Sequence, residues 1–257
     1  DGDGVIYTTD VHNTGLEYSW TIAPTVLWSN RLSVDRVVAP GKSNNYPTLE
    51  SVGFDSLLGG NGLDRMPTIV TSDGSSNLFD QCCVDTNFAH TLWTYSSALQ
   101  WVRGRHAFKF GGEQRQFFNN FWQPNNPTGL FDVSRLVTAA HPDGAHDGED
   151  ESGFSFATLM TGFAYSGDYN IVPAVADKSV ETAFFVQDDW KVTPKLTVNL
   201  GLRYEWSNPY TERFNRSQFS DFTGDTGINI PGLGEIMGTT IFATSSRRSV
   251  PVDRNNW

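Results

Sequence analysis

The chain has 257 residues and a net charge of −11, and its Lys and Arg residues form no cluster that would neutralise phosphates. The composition therefore argues against a nucleic-acid-binding protein. The absence of an 18-residue apolar run excludes a membrane helix but not a β-barrel, whose strands distribute their apolar residues in alternation. Its two cysteines, Cys82 and Cys83, are adjacent; they provide no disulfide framework and no CxxC metal site, and predict two loop thiols or a strained vicinal disulfide.

The first predicted elements are two strands, near residues 15–22 and 25–36. Both alternate between apolar and polar residues, as expected for β-strands with one apolar face. The apolar positions are Leu16, Tyr18, Trp20, Ile22, Val26, Trp28, Leu32 and Val34. Leu27 and Asn30 interrupt the alternation.

Four further strands are predicted near residues 91–101, 106–118, 180–190 and 195–207. From Leu196 to Trp206 every second residue is apolar, without exception. These ten steps span about 33 Å at the usual rise per residue. With a tilt of about 40°, such a strand covers about 25 Å, the height of the apolar band of an outer-membrane barrel.

A hairpin repeats along the chain. Residues 18–28 (YSWTIAPTVLW) align with residues 188–198 (DDWKVTPKLTV), and each copy has a Trp four residues before a Pro. A third copy at residues 99–110 (LQWVRGRHAFKF) lacks the Pro. Because Pro presets φ and ends strand pairing, these segments predict tight turns near residues 22–25, 102–105 and 192–195.

The links between the hairpins are long, near residues 37–90 and 119–179, and a tail follows residue 208. Within the second link, residues 154–163 (FSFATLMTGF) predict either a short helix or a strand, and residues 165–172 are a further candidate strand. Loops this long are unusual in compact soluble domains. Short turns on one rim and long loops on the other are typical of an outer-membrane barrel.

Alternation alone does not decide whether the apolar faces meet lipid or a protein core, so a soluble β-sandwich is the alternative. The distribution of tryptophans favours lipid. Trp20, Trp101 and Trp190 precede the tight turns, and Trp93 and Trp206 lie toward the opposite rim. Aromatic residues at both edges of an apolar band are expected to anchor the strands at the two membrane interfaces.

The segment FVQDDWKVTPKLTVNLGLRYE (185–205) resembles the signature hairpin of TonB-dependent outer-membrane receptors of the Oar-like kind. Residues 106–115 (HAFKFGGEQR), 121–131 (FWQPNNPTGLF) and 209–216 (PYTERFNR) support the resemblance, and residues 153–167 match more loosely. The resemblance covers roughly a third of the chain. It implies a 22-stranded barrel filled by a plug and coupled to TonB through an N-terminal box.

Neither plug nor box is recognisable in residues 1–257. Because the sequence begins at Asp1 without a signal peptide, we expect it to be an internal part of a single receptor barrel domain. The predicted fold is all-β, an antiparallel up-and-down transmembrane β-barrel in part. With about six to eight long strands it would form an open, curved sheet with unpaired edges.

Several polar side chains share one predicted strand face: Lys109, Glu113, Arg115, Lys195, Arg203 and Glu205. They are candidates for lining the lumen and contacting a plug or solute; the alternative is that they hydrate the wall and pair with one another. In the following loop, aromatic and amide side chains are candidates for stacking on a ligand or for packing the loop itself: Phe121, Trp122, Asn125 and Asn126.

For the other polar groupings a metal site is the less favoured alternative. The acidic run 143–151 is either a loop Ca²⁺ site or a solvated loop tip, and it fails the EF-hand pattern, as does Asp1–Gly4. His141 and His146 lack a third placed metal ligand. Asp188 and Asp189 point to opposite faces of a strand, which disfavours a catalytic pair. We therefore expect no enzyme activity and no cofactor.

The sequence thus predicts part of a TonB-dependent receptor for a scarce solute. Its expected partners are outer-membrane lipid, the TonB complex through a missing N-terminal region, and a siderophore, cobalamin, glycan or peptide that the sequence does not distinguish. The alternatives are a passive porin-like or adhesin-like barrel and a secreted glycan-binding β-sandwich.

Overall fold

A computed structural model describes residues 5–43, 47–53, 65–73, 77–79, 85–140 and 152–252. Cys82, Cys83, both loop histidines, the acidic run 143–151 and Asp1–Gly4 lie outside these residues, so the expectations for them stay predictions.

The described chain forms fourteen strands, one α-helix and two short 3₁₀ helices. The strands are β1 (Val5–Tyr7), β2 (Asp10–Ala23), β3 (Val26–Val38), β4 (Gly41–Ser43), β5 (Thr68–Thr71), β6 (Asn87–Arg103), β7 (His106–Trp122), β8 (Leu130–Val133), β9 (Ser166–Asp168), β10 (Val175–Thr193), β11 (Leu196–Ser207), β12 (Thr211–Glu212), β13 (Gln218–Ile230) and β14 (Gly234–Phe242). The helix α1 is Ser155–Thr161, and the 3₁₀ helices are Glu50–Val52 and Arg135–Thr138.

The chain divides into two compact units. The first contains residues 1–9, 39–88 and 121–174, and the second contains residues 10–38, 89–120 and 175–257.

The second unit contains a sheet of six long strands in the order β11-β10-β7-β6-β3-β2. These strands are 12 to 19 residues long, whereas soluble strands usually have about 5–6. The short strand β12 also pairs with β10, and β13 and β14 form a separate antiparallel hairpin.

All six predicted strands are confirmed, and most extend beyond their predicted bounds. β6, for example, begins at Asn87 rather than near residue 91, and β10 begins at Val175 rather than near residue 180. The additional residues lie on the side of the long links. There each face carries both polar and apolar side chains, so alternation no longer identifies a strand.

The repeated hairpin is also a structural repeat. Tight turns lie at residues 24–25, 104–105 and 194–195. In both copies that contain Pro, one residue two positions after the Trp is left out of the pairing: Ile22 between Thr21 and Ala23, and Val192 between Lys191 and Thr193. The third turn uses Gly104 at φ 62° in place of Pro, a conformation that glycine adopts without steric cost.

The apolar face of the sheet is exposed. Leu200 and Leu202 in β11 are 57% and 59% exposed, Phe110 in β7 is 42% exposed, and Phe108 is half-buried. A soluble β-sandwich would bury these side chains beneath a second layer. Their exposure excludes the sandwich and is the arrangement expected of a sheet that faces lipid.

The first unit has a small core built around Met66, Ile69 and Val133. β5 pairs in parallel with β8, which pairs antiparallel with β9. Residues 155–161 form α1, which settles the choice between helix and strand, and only Ser166–Asp168 of the second candidate segment is a strand. Within the described ranges, no helix is long and apolar enough to cross a membrane.

The sequence predicted no strands in the tail after residue 208, but the structure contains two long ones. β13 and β14 are strands of 13 and 9 residues. Their pairing is irregular between Asp221 and Asp225 and again between Asp225 and Asn229. These irregularities disrupt the two-residue period, which explains why the sequence pattern did not reveal the strands.

Candidate functional site

The register of β10 and β11 assigns the charged residues to one face of the sheet. Arg203 lies opposite Phe185 and Glu205 lies opposite Ala183, whereas the intervening Tyr204 lies opposite Phe184. Directly opposed residues project to the same side and neighbouring residues to opposite sides. Arg203 and Glu205 therefore lie on the polar face, as predicted.

Five charged side chains meet on this face, and we call them the polar-face cluster: Glu113, Arg115, Glu181, Arg203 and Glu205. They line one small recess. A nitrogen of Arg115 lies 2.8 Å from Glu113 Oε1 and another lies 4.0 Å from Glu181 Oε2. Arg203 Nε lies 2.8 Å from Glu205 Oε2.

The polar face continues across the other strands. Glu113 and Arg115 also line a second recess, together with Arg31, Ser33, Leu92, Thr94, Ser96 and Phe117. Arg31 in β3 lies opposite Glu17 in β2. Polar groups therefore form a band from β2 to β11. Arg115 lies between two carboxylates, those of Glu113 and Glu181, and Arg203 pairs with the carboxylate of Glu205.

The ion pairs of the cluster are accessible to solvent. The side chains of Arg115 and Arg203 are 45% and 46% exposed, and that of Glu205 is 63% exposed. Ion pairs with such exposure contribute little stability. They can therefore exchange partners with a solute or another protein segment at small cost.

Two of the six predicted polar-face residues lie outside this cluster. Lys109 Nζ lies 5.9 Å from the centroid of the Phe185 ring. Lys195 belongs to the tight turn and is exposed, which corrects its assignment to a strand: β11 begins one residue later, at Leu196. The sequence missed Glu181, because alternation identifies a face but not which strands bring charges together.

The predicted interface tryptophans all lie on the apolar face. Toward the tight turns, Trp20 lies opposite Trp28 in β3, and the two ring centroids are 6.5 Å apart. The rings of Trp101 and Phe108 are 5.7 Å apart. The sequence pattern identified Trp28 only as an apolar strand position, although it belongs to this aromatic belt.

Toward the other rim, Trp93 lies opposite Val34, and Trp206 contacts the rings of Phe184 and Tyr204. The next opposed pair on the same face, Arg36 with Thr91, is polar. Trp93 therefore marks the edge at which β3 first presents a charged residue on this face. The role of these tryptophans as membrane anchors stays a prediction.

Two pairs of polar side chains on the apolar face hydrogen-bond to each other. Trp28 Nε1 donates to Ser97 Oγ at 2.9 Å, and the Tyr95 hydroxyl donates to Asn30 Oδ1 at 3.2 Å. Asn30 therefore interrupts the apolar pattern without leaving its side-chain oxygen unpaired. Internal pairing of this kind is required where hydrocarbon replaces water.

Asp188 and Asp189 face opposite sides, as predicted. Asp189 Oδ1 accepts from Gln187 on the polar face. Asp188 is opposite Leu200 on the apolar face, and its Oδ2 lies 2.7 Å from His106 Nδ1. The His106 ring stacks between the rings of Phe108 and Trp190, at 5.5 and 5.4 Å. This hydrogen-bonded pair at the turn-side aromatic belt was not predicted.

The candidate ligand-contacting residues do not form a single loop site. Phe121 and Trp122 are the last two residues of β7 and not loop residues, because the strand extends past the apolar alternation. Trp122 Nε1 donates to the carbonyl of Val172 at 2.9 Å. Asn126 is 8% exposed with φ 48°. Phe121 and Asn125 remain exposed.

Glu212 organises the segment that follows β11, and the sequence gave no signal for it. Its side chain is 2% exposed. Its Oε2 accepts from the backbone N–H groups of Phe214 and Arg216, and its Oε1 accepts from the Arg216 guanidinium. These bonds, above all that from the guanidinium, lower the pKa of Glu212 from 4.5 to about 2.

In the described part of the chain, no three His, Cys, Asp or Glu side chains are grouped so as to hold a metal ion. The family model described as "Outer membrane beta barrel domain" matches residues 2–257. The curated proteins and the solved structures give no match.

Proposed function

Since the chain belongs to the family of outer membrane β-barrel domains and is thereby assigned to the bacterial outer membrane, we propose that it forms part of the wall of a TonB-dependent receptor for a scarce solute. The polar face of its sheet lines the lumen. Lipid covers the apolar face, which the tryptophan belts delimit.

The observation that carries this proposal is the polar-face cluster. A receptor of this kind must hold a plug or solute against its wall and later release it. Arg115 and Arg203 are partly exposed; Arg115 lies between the carboxylates of Glu113 and Glu181, and Arg203 pairs with Glu205. Such pairs provide directional hydrogen bonds that exchange at low cost. The resemblance of residues 185–205 to TonB-dependent receptors supports the same assignment.

Planar-bilayer conductance of the purified protein that carries residues 1–257 within a complete barrel tests the proposal against a passive, porin-like barrel. A receptor with a plugged lumen is expected to conduct little, to bind the periplasmic domain of TonB, and to open when urea unfolds the plug. A stable open channel without urea, and no binding of TonB, would contradict the proposal and favour the passive barrel.

A variant of the polar-face cluster tests whether these side chains hold the plug in the lumen. Arg115→Gln removes the guanidinium that lies between Glu113 and Glu181, and we expect it to raise leak conductance because the wall holds the plug less firmly. Lys191→Gln near the tight turn is a matched control, since it removes one charge from the same face outside the cluster. Equal conductance of the two variants would show that the cluster does not hold the plug.

A further inference from the structure

Cationic side chains gather on the apolar-face side of the sheet, above the Trp93 edge. A pocket of about 600 Å³ is lined there by Arg36, Lys178, Arg213 and Arg248, with Thr91, Trp93, Phe118, Asn120, Ala176, Asp177 and Thr211. We call this the cation pocket. Its four cations and one carboxylate leave a positive excess in a chain whose net charge is −11.

The side chains that form this pocket are held in place. Arg36 donates from Nη1 to Thr91 Oγ1 at 2.7 Å. Lys178 Nζ lies 5.4 Å from the centroid of the Phe118 ring. Arg248 donates to Asn215 Oδ1 and to the carbonyl of Glu212. None of the four cations forms an ion pair with a carboxylate among the described residues, so their charge remains available to an anion.

The pocket opens on the lipid side of the sheet and not on the polar face. Arg36 and Thr91 are opposed, two residues along each strand from the opposed Val34 and Trp93, and side chains two residues apart share a face. The long links leave the sheet at this end, and long loops mark the outer surface of such barrels. The cation pocket therefore lies at the level of the lipid headgroups of the outer leaflet.

A second concavity lies on the same face, on the membrane side of the cation pocket. It has a volume of about 730 Å³ and is lined by Trp28, Tyr95, Ser97, Leu99, Phe110, Gly111, Gly112, Glu113, Gln114, Thr182, Phe184 and Phe185. We call it the apolar groove. Gly112 contributes no side chain to the groove, and an added Cβ there would lie 2.9 Å from the Phe184 ring.

The cation pocket and the apolar groove draw on the same four strands, β3, β6, β7 and β10. On β6 they meet where Trp93 lines the pocket and Tyr95 lines the groove, two residues apart on one face. A groove suited to hydrocarbon thus continues below a pocket suited to an anion. A molecule that matches both has an anionic headgroup and an acyl chain.

We propose that β3, β6, β7 and β10 form a binding site for a phosphorylated lipid of the outer leaflet, with its phosphate in the cation pocket and an acyl chain in the apolar groove. Arg and Lys are the side chains that hold phosphate by charge-assisted hydrogen bonds. Basic pockets at headgroup level are a recognised means of selecting anionic lipids. The four cations of the site lie outside the polar-face cluster, and the proposal does not depend on uptake.

Native mass spectrometry of the purified protein in detergent, titrated with diphosphorylated lipid A, tests the proposal. We expect retained lipid on the wild type and at least about tenfold weaker retention by Arg36→Gln/Lys178→Gln, because two charge-assisted contacts are lost. The matched control is Arg103→Gln/Lys191→Gln, which removes the same charge at the tight-turn end and is expected to retain the lipid as the wild type does.

Two further arms identify the source of the phosphate. The same lipid without its phosphates, and Leu99→Trp, which fills the groove, should each weaken retention about tenfold; inorganic pyrophosphate should not compete at millimolar concentration. Phe110→Trp replaces Leu99→Trp if the latter does not fold. The proposed site would be contradicted if both double variants retained the lipid equally, or if the wild type retained phosphorylated and dephosphorylated lipid equally. If pyrophosphate competes and filling the groove has no effect, the ligand is a soluble phosphate compound and not a lipid.

Discussion

Glu212 shows what a single buried charge does in the segment after β11. The residue is nearly inaccessible where β12 pairs with β10, and three donors from Phe214 and Arg216 satisfy its carboxylate. A buried carboxylate is tolerated when each oxygen is hydrogen-bonded. The turn that orients Arg213 and Arg248 thus depends on this side chain.

Glu212→Gln tests this role. The amide keeps the shape of the side chain but loses the charge, and its NH₂ group would face at least one donor. We expect the variant to be destabilised by about 2 kcal/mol, the range of a hydrogen bond to a charged group. The measurement is chemical unfolding in detergent, followed by tryptophan fluorescence. Glu205→Gln, at the exposed pair with Arg203, is the control and should change stability by less than about 1 kcal/mol.

The same carboxylate predicts a pH dependence. The pKa of Glu212 is about 2 in the folded protein against an ordinary value of 4.5, so the folded state binds its proton less readily than the unfolded state. Its stabilisation is therefore complete above pH 4.5 and is lost as the pH falls toward 2. Unfolding curves between pH 6 and 2 should show a steeper loss for the wild type than for Glu212→Gln. Parallel loss in both proteins would contradict this prediction.

His106 and Asp188 form a hydrogen-bonded pair on the mainly apolar face of the sheet. Asp188 Oδ1 is buried without a partner, so His106 provides the only described side-chain contact that offsets its burial. We expect His106→Phe to destabilise the protein by about 1–3 kcal/mol, because it leaves the carboxylate unpaired. His106→Phe/Asp188→Leu should recover most of this loss. Additive effects in this double-mutant cycle would show that the pair is not coupled.

At the scale of the element, the alternation of apolar and polar residues was sufficient to find the six long strands. It worked where one face is apolar throughout, as in β11. It failed where each face carries both polar and apolar residues, as at the loop-side ends of β6 and β10. It also failed where pairing is irregular, as in β13, because each irregularity shifts the following side chains to the other face.

The candidate site was predictable only in part for a related reason. Alternation assigned Glu113, Arg115, Arg203 and Glu205 to the polar face. It did not show that Glu181 joins them, since this follows from the neighbouring order of β7, β10 and β11. Equally, Arg36 and Lys178 are far apart in sequence, and only the sheet brings them to one pocket.

The exposure of the β11 leucines predicts that an added charge has different effects on the two faces of this strand. Leu202 lies in the middle of the apolar series, opposite Val186. An Arg at this position would place a charge in hydrocarbon at a cost of about 2–4 kcal/mol. Asn199→Arg, on the polar face opposite Asp189, should be nearly neutral. The measurement is the folded fraction in outer membranes, scored by heat-modifiable electrophoretic migration. Similar folding of both variants would contradict the assignment of lipid to the apolar face.

At the scale of the whole molecule, the described sheet is open. β2 and β11 are its outer long strands, and side chains along β2 are exposed over nearly its full length. An open edge presents unpaired N–H and C=O groups, which cannot be hydrated inside a membrane. The sheet is therefore expected to require further strands at both edges when it is embedded in lipid.

Residues 1–257 produced alone test this requirement. We expect them to refold in detergent only as mixed oligomers, because the edges of β2 and β11 pair between copies where no other strand satisfies them. Light scattering after size-exclusion chromatography would show a distribution of masses above 28.5 kDa. A protein that carries these residues within a complete barrel should instead give one species. A homogeneous monomer of residues 1–257 with heat-modifiable migration would mean that the chain closes its own sheet, because only closure removes both edges without another copy.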